Sequence, residues 1–214
     1  MTAVLIDELL KERDLRIQDC DAVCVSKGPG SYTGLRVGVS SAKGLCFGAG
    51  LPLLAVGTLD ILVAQALHQV GGDGLHYDAI IPVIDARRDE VYTAVYTSDG
   101  TTPVRALIVG QDKFDTDLDG RAILFIGDAA DKCQRLLAQT PGQAGGDGLA
   151  AAPQGVMPGP DRASLWRFVQ TQPRADAMAG LAQQAFDRGA FEDVAYFEPF
   201  YLKDFVATTP KKLF

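Results

Sequence analysis

A chain of 214 residues that is 47% hydrophobic and 22% charged has the length and composition to bury a core, as one large domain or two small ones. Its formal charge of −7 argues against a protein that holds nucleic acid alone, because phosphate backbones demand clustered lysine and arginine. No apolar run approaches the ~20 residues of a membrane helix, and residues 1–8 turn acidic at once, unlike a secretory signal, so the expected compartment is the cytoplasm.

Residues 4–10 place apolar side chains at 5, 6, 9 and 10 against charges at 7, 8, 11, 12 and 13, the spacing of an amphipathic helix. The run Ala22-Val23-Cys24-Val25 predicts a strand, and a small-residue helix from 31 to 48 follows a glycine-rich turn. Residues 51–56 predict a short buried strand, with Gly57-Thr58 opening a helix over 59–68. Strand alternating with helix implies parallel strands in an α/β layer. Gly71-Gly72-Asp73-Gly74 breaks the pattern and sets the expected division: 1–72 as a first α/β lobe, 73–214 as a second with C-terminal helices and a tail. Residues 79–85, 90–97 and 104–109 read as an antiparallel meander, and 123–126 as a further strand before a helix opened by Gly127-Asp128. Residues 140–160 read as an irregular loop, 165–169 and 175–188 as helical, and the remainder as an extended tail; no internal repeat shows. The cysteines at 20, 24, 46 and 133 form no Cys-x-x-Cys pair and read as free structural thiols.

The most informative stretch is Ser26-Lys27-Gly28-Pro29-Gly30-Ser31-Tyr32-Thr33-Gly34-Leu35-Arg36-Val37-Gly38. Glycines permit backbone angles closed to other residues, Pro29 stiffens the turn, and Ser31 or Thr33 can cap the helix. A helix start of this kind can hold an anion. Yet five residues, not four, separate Gly28 from Gly34 and no Lys-Ser follows, so this is no P-loop; Gly28-x-Gly30-x-x-x-Gly34 is one residue too long for a dinucleotide fingerprint. On spacing alone, a tight strand-to-helix turn that brings two backbones close explains the glycines better than an anion site does.

The whole string, continued by SAKGLCFGAGLPLLAVGTLD, resembles the core signature of the bacterial TsaB proteins. Asp85-Ala86-Arg87-Arg88-Asp89-Glu90-Val91-Tyr92 resembles that family's Asp-Ala-Arg-x-x-Glu-x-Tyr hairpin, and Glu198-Pro199-Phe200-Tyr201-Leu202 its Glu-Pro-x-Tyr-Leu block. The resemblance implies the actin-like ATPase fold of sugar kinases and Hsp70-type chaperones, in two related lobes. It also implies a non-catalytic subunit that pairs with the enzyme TsaD, and recruits the ATPase TsaE, to install threonylcarbamoyl on adenosine 37 of tRNAs reading ANN codons. Contact with tRNA is then indirect, and no cofactor is implied. The family opens with a strand bearing an Asp-Thr-Ser-type turn and two further strands; nothing of this kind stands before Ile6. The first lobe is therefore expected to lack central strands, to expose unpaired edges, and to lack the segment that holds phosphates in catalytic relatives.

The family builds its partner interface, with TsaD or with a second copy of itself, from the first two helices. Here that places Leu5, Leu9, Gly30, Tyr32, Thr33, Gly34, Arg36, Val37, Gly38, Ser41 and Leu45 at the candidate interface. Gly34-x-x-x-Gly38 and Gly44-x-x-x-Gly48 leave shallow helix surfaces suited to close approach of another helix, or to packing on the chain's own sheet. Asp85, Arg87, Arg88 and Glu90 form a charged candidate binding hairpin; the two carboxylates could serve acid–base chemistry, but solvated ion pairs are the commoner outcome. His68 and His76 make no His-x-x-x-His or His-Glu-x-x-His, and Ser31 lacks a Gly-x-Ser-x-Gly frame, so neither a metal site nor a catalytic constellation is expected. Two rival classes stand beside the accessory subunit: an ATP-dependent small-molecule kinase on the same fold, and a stand-alone homodimeric interaction protein.

Overall fold

The computed structural model describes residues 2–73, 76–114, 120–139 and 165–203; the expected loop at 140–160 and Lys211-Lys212 lie outside them. Helix α1 (Thr2–Glu12) precedes a single 3-10 turn at Ile17–Asp19 and strand β1 (Val23–Gly28). Helix α2 (Tyr32–Ala49) then leads to β2 (Leu53–Gly57) and α3 (Thr58–Asp73). Strands β1 and β2 pair in parallel, Val23 opposite Leu53 and Ser26 opposite Val56, as the strand–helix alternation predicts. Ser31 caps α2 by accepting the amide of Gly34 at 3.4 Å, and Gly50, with φ of 70°, closes it. The inward stripe Val39, Ala42 and Cys46 is the buried face of α2, and Ala42 and Cys46 join Leu53 in one cluster.

Helix α3 lies between the two sheets. Its Ile61 packs with Val56 of β2, while Leu59, Leu62 and Ala66 pack with Ile84, Leu124 and Ile126 of the second sheet. Burial of apolar side chains on two faces explains a helix with little polar surface near its start. Tyr96 adds a hydrogen bond to Asp60 of α3 at 2.6 Å, and burial pushes its phenol well above the usual range. The helix continues through Gly71 and Gly72 to Asp73, beyond the stop expected at 68. Packing of its first three turns outweighs the cost of ~1 kcal/mol that each helical glycine carries.

The second sheet contains β3 (Ala79–Asp85), β4 (Glu90–Thr93), β5 (Tyr96–Thr97), β6 (Gly100–Thr101), β7 (Arg105–Ile108), β8 (Ile123–Gly127) and β9 (Trp166–Gln170). Its order along one path is β6-β5-β3-β4-β7, with β8 parallel to β3 and β9 parallel to β8. Strands β4 and β5 face β3 in one register, Val83 opposite Thr93 and Ile80 opposite Tyr96. The expected run at 90–97 is thus in place but interrupted at Ala94-Val95, where the amide of Val95 turns to the Thr102 hydroxyl at 2.9 Å. The expectation of a helix over 165–169 is overturned: residues 166–169 enter β9. Phe168 stacks on buried Phe125 at 4.7 Å and Trp166 meets it edge-on at 5.9 Å, contacts that an extended strand provides by placing residues 166 and 168 on one face.

Helix α4 (Ala130–Gln139) buries Cys133 and Leu137 against this core, and a 3-10 turn at Ala175–Met178 runs into α5 (Ala179–Asp187). Two parallel units emerge, β1-α2-β2-α3 and β8-α4-β9-α5. The first strand of each ends at a left-handed glycine, Gly28 with φ of 113° and Gly127 with φ of 142°. After α5 the chain turns back across the first sheet, the amide of Glu192 donating to the Leu53 carbonyl at 2.8 Å.

Candidate partner interface and charged hairpin

The outer faces of α1 and α2 carry apolar side chains that the fold leaves uncovered. Leu5 is 62% exposed, Leu9 57% and Val37 52%, while Ser41 and Leu45 are half-buried. A Cβ built at Gly38, Gly44 or Gly48 would meet nothing within 4 Å, and one at Gly34 would meet only the Ser31 side chain at 3.5 Å. Among the described residues, none of these glycines packs on the chain's own sheet. They present bare helix backbone outward, beside exposed Thr33 and half-buried Gly30. Arg36 lies over the Tyr32 ring at 5.6 Å, and Tyr32 packs on Tyr201 with ring centroids 4.8 Å apart.

The turn between β1 and α2 is occupied by protein. Phe200 donates its amide to the Lys27 carbonyl at 2.7 Å, and its own carbonyl lies 2.6 Å from where a Cβ on Gly28 would stand. Close backbone approach is thus the reason for Gly28. Lys43 of α2 reaches the carbonyls of Ala195 and Phe197 at 3.1 and 3.0 Å, fixing the same segment.

The 85–90 hairpin is built around Lys132 of α4, whose ammonium donates to Asp85 Oδ1 at 2.7 Å, the Arg88 carbonyl at 3.0 Å and the Glu90 carbonyl at 2.7 Å. Asp85 also accepts the amide of Arg87 at 2.7 Å and donates its own amide to Asp128 at 2.8 Å. Burial opposes ionisation of Asp85, but the Lys132 and Arg87 bonds outweigh it and hold the carboxyl below its usual range. Burial lifts the Asp128 carboxyl above that range, helped by the charge of Asp85. Arg87 and Arg88 are exposed, with left-handed φ of 67° and 51°, and Glu90 pairs with Lys203. Asp85 and Glu90, which could in principle have served acid–base chemistry, are each committed to their own cation, so the arrangement ties a loop rather than handling a proton. Lys132, Asp128 and Lys203 were not found from the sequence, because they join the hairpin from separate elements and carry no local pattern.

Among the described residues, the other titratable groups are used structurally. Burial pushes the Cys24 thiol to about 11 and Cys133 to about 12, and the four cysteines are free. The Ser31 hydroxyl is used as the α2 cap. His68 borders a cavity of about 290 Å³ with Gln65, Arg174 and Asp176, where Arg174 is forked onto Asp176 and Gln65 is engaged by Gln172 and the Arg174 amide. Among the described residues no group of three His, Cys, Asp or Glu is placed to hold a metal, and no helix is long and apolar enough to cross a membrane.

An open mixed sheet, paired with a parallel strand–helix layer across α3, is the actin-like ATPase fold that the sequence resemblance implied. Two solved structures share it. One, titled as an uncharacterized protein with similarity to peptidase YEAZ from Pseudomonas aeruginosa, covers 92% of this chain and 81% of its own, with a TM-score of 0.68 at 24% identity. The other, titled YeaZ from Pseudomonas aeruginosa, covers 92% and 80% with a TM-score of 0.67 at 23% identity. The chain belongs to the family whose model is described as TsaD: tRNA N6-adenosine threonylcarbamoyltransferase, matched over residues 2–211, and it is similar to several proteins named TsaB. The tRNA threonylcarbamoyladenosine biosynthesis protein TsaB of Bacillus subtilis is 42% identical over 92 residues, 42% of this chain and 37% of its own. The protein of that name in Haemophilus influenzae is 40% identical over 90 residues, 41% of this chain and 35% of its own. In Escherichia coli it is 35% identical over 95 residues, 44% of this chain and 39% of its own. These matches thus span less than two-fifths of the curated relatives' own length.

Proposed function

We propose that the chain is a non-catalytic accessory subunit of tRNA threonylcarbamoylation, pairing through the α1–α2 face with a TsaD-type enzyme. The observation that carries this reading is the uncovered strip of Leu5, Leu9 and Val37 beside the open glycines of α2. Burying a leucine or valine contributes ~1.5–3 kcal/mol, and bare glycines let a partner helix approach closely. The relatives are named for threonylcarbamoyladenosine biosynthesis, which gives the partner its class. In this reading TsaD handles the reactive substrate, TsaE is recruited to the composite surface, and tRNA is held mainly by the other subunits. The division into lobes at 72/73 and a cytoplasmic location belong to the same proposal.

The test is to mix the purified chain with TsaD from the same organism and follow the complex by light scattering and calorimetry. A complex with micromolar or tighter affinity that is lost on Leu5→Asp or Leu9→Asp is expected; no association at tens of micromolar would overturn the reading. The same face suits a stand-alone homodimer, and light scattering of the chain alone separates that reading.

A further inference from the structure

The segment 192–203 crosses from one sheet to the other. Glu192 joins the edge of β2, and Val194 and Phe197 pack on Ala42, Cys46 and Leu53. Lys43 holds two of its carbonyls, Phe200 bonds Lys27, and Tyr201 rests on Tyr32. Lys203 then leaves the first sheet, pairs with Glu90 of β4 and lies 5.8 Å from the Tyr92 ring centre. One short stretch therefore connects the first turn of α2 to the charged hairpin.

We propose that this segment is a latch, in which the Lys203–Glu90 pair couples the 85–90 hairpin to the order of the first turn of α2. A cationic side chain of a bound protein that takes the Glu90 carboxylate opens it, releasing Lys203, then Tyr201 from Tyr32. The groups facing the Lys203 ammonium make the pair poised. Glu90 attracts it and the Tyr92 ring accepts it, whereas burial and the positive charge of Arg88 disfavour its ionised form. With Glu90 neutralised, Lys203 loses its paired carboxylate and is left beside the positive charge of Arg88. Tyr32 and Arg36 lie on the face proposed for pairing, so the latch transmits the state of the hairpin to that face. Its opening is a shift between two arrangements of one segment, driven by whatever binds the open one better.

The latch is tested on the isolated chain, so its outcome is independent of the pairing proposal. Hydrogen exchange is followed in the wild type, Glu90→Gln, Lys203→Gln and the charge-keeping Lys203→Arg. The two neutralised variants are expected to exchange the amides of 34–36 and 200 about tenfold faster, with β8, β9 and the melting temperature unchanged and Lys203→Arg close to wild type. Faster exchange confined to 88–92 would overturn the coupling, as would a uniform rise across both sheets with a lowered melting temperature. If the neutralised variants fail to fold, the wild type in ~1 M salt decides, because screening weakens a part-exposed pair. Selective loosening of 34–36 then supports the latch, and unchanged protection there overturns it.

Discussion

The Phe200 carbonyl stands 2.6 Å from the point where a side chain on Gly28 would begin, while the Phe200 amide bonds the carbonyl of the preceding Lys27 at 2.7 Å. The turn between β1 and α2 is therefore a seat for the chain's own C-terminal segment. Gly28 is doubly required there, by that contact and by its φ of 113°. Gly28→Ala is expected to destabilise the fold by ~1–3 kcal/mol, the range for backbone strain of this kind. Chemical denaturation measures the cost, and limited proteolysis should show the 192–203 segment cut first. An alanine variant as stable and as resistant as the wild type would contradict the seat.

Lys132 gives a second prediction, with a defined pH dependence. Its side chain is 15% exposed and Asp85 is 55% exposed, so Lys132→Met should cost ~1–3 kcal/mol rather than the larger value of a fully buried pair. Asp85 titrates below its ordinary value near 3.8 in the folded chain. The unfolded chain thus takes up this proton first, so the contribution is complete above that value and is lost as pH falls through the lower folded value. The difference in stability between wild type and Lys132→Met should accordingly shrink in acid below pH 3.8. Asp128 has the opposite shift, and Asp128→Asn is the control that isolates it. A difference that grows on acidification would contradict the assignment.

Sequence patterns made the first half of this fold legible because its determinants are local. A cap at Ser31, a left-handed Gly50 and the inward stripe of α2 all lie within one helix and its ends. Amphipathic spacing put Leu5 and Leu9 on one apolar stripe of α1, but only the family resemblance pointed that stripe at a partner, since an apolar stripe by itself suits burial in the chain's own core. Strand β9 was not readable, because what fixes Trp166 and Phe168 is Phe125, some forty residues away. The repeated strand–helix unit was hidden for a similar reason: backbone geometry at Gly28 and Gly127 repeats while the surrounding side chains do not. At the hairpin, Asp85 and Glu90 were found as charges, but their meaning depended on Lys132 and Lys203 from distant segments.

Isolated chain should not hold tRNA at physiological salt. The formal charge of −7, with lysines and arginines scattered along the chain and Lys132 and Lys203 paired to carboxylates, gives no cationic stripe to release counterions from a phosphate backbone. A gel shift in about 150 mM salt should show no stable complex, with weak association emerging only at low salt. Tight binding by the chain alone at the higher salt would place tRNA recognition here and remove the need for a second subunit to hold it.

Gly38→Leu is the sharpest probe of the α1–α2 face. Because a Cβ at this position meets nothing within 4 Å, an isobutyl group would project into open space and leave the core untouched. Leucine is also the better helix former, so the stability of the isolated chain should hold or rise by up to ~1 kcal/mol. Association should respond in the other direction. A partner helix seated on the bare backbone of α2 would be pushed away, with overpacking at such a seam costing ~1–3 kcal/mol, equivalent to a loss of roughly five- to 150-fold in affinity. Thermal unfolding and calorimetric titration with the TsaD-type partner, run on the same preparations, separate the two effects. An unaltered melting temperature with weakened association assigns Gly38 to the seam. Unaltered association would instead move the interface off this face of α2 and leave Leu5 and Leu9 of α1 as its remaining candidates.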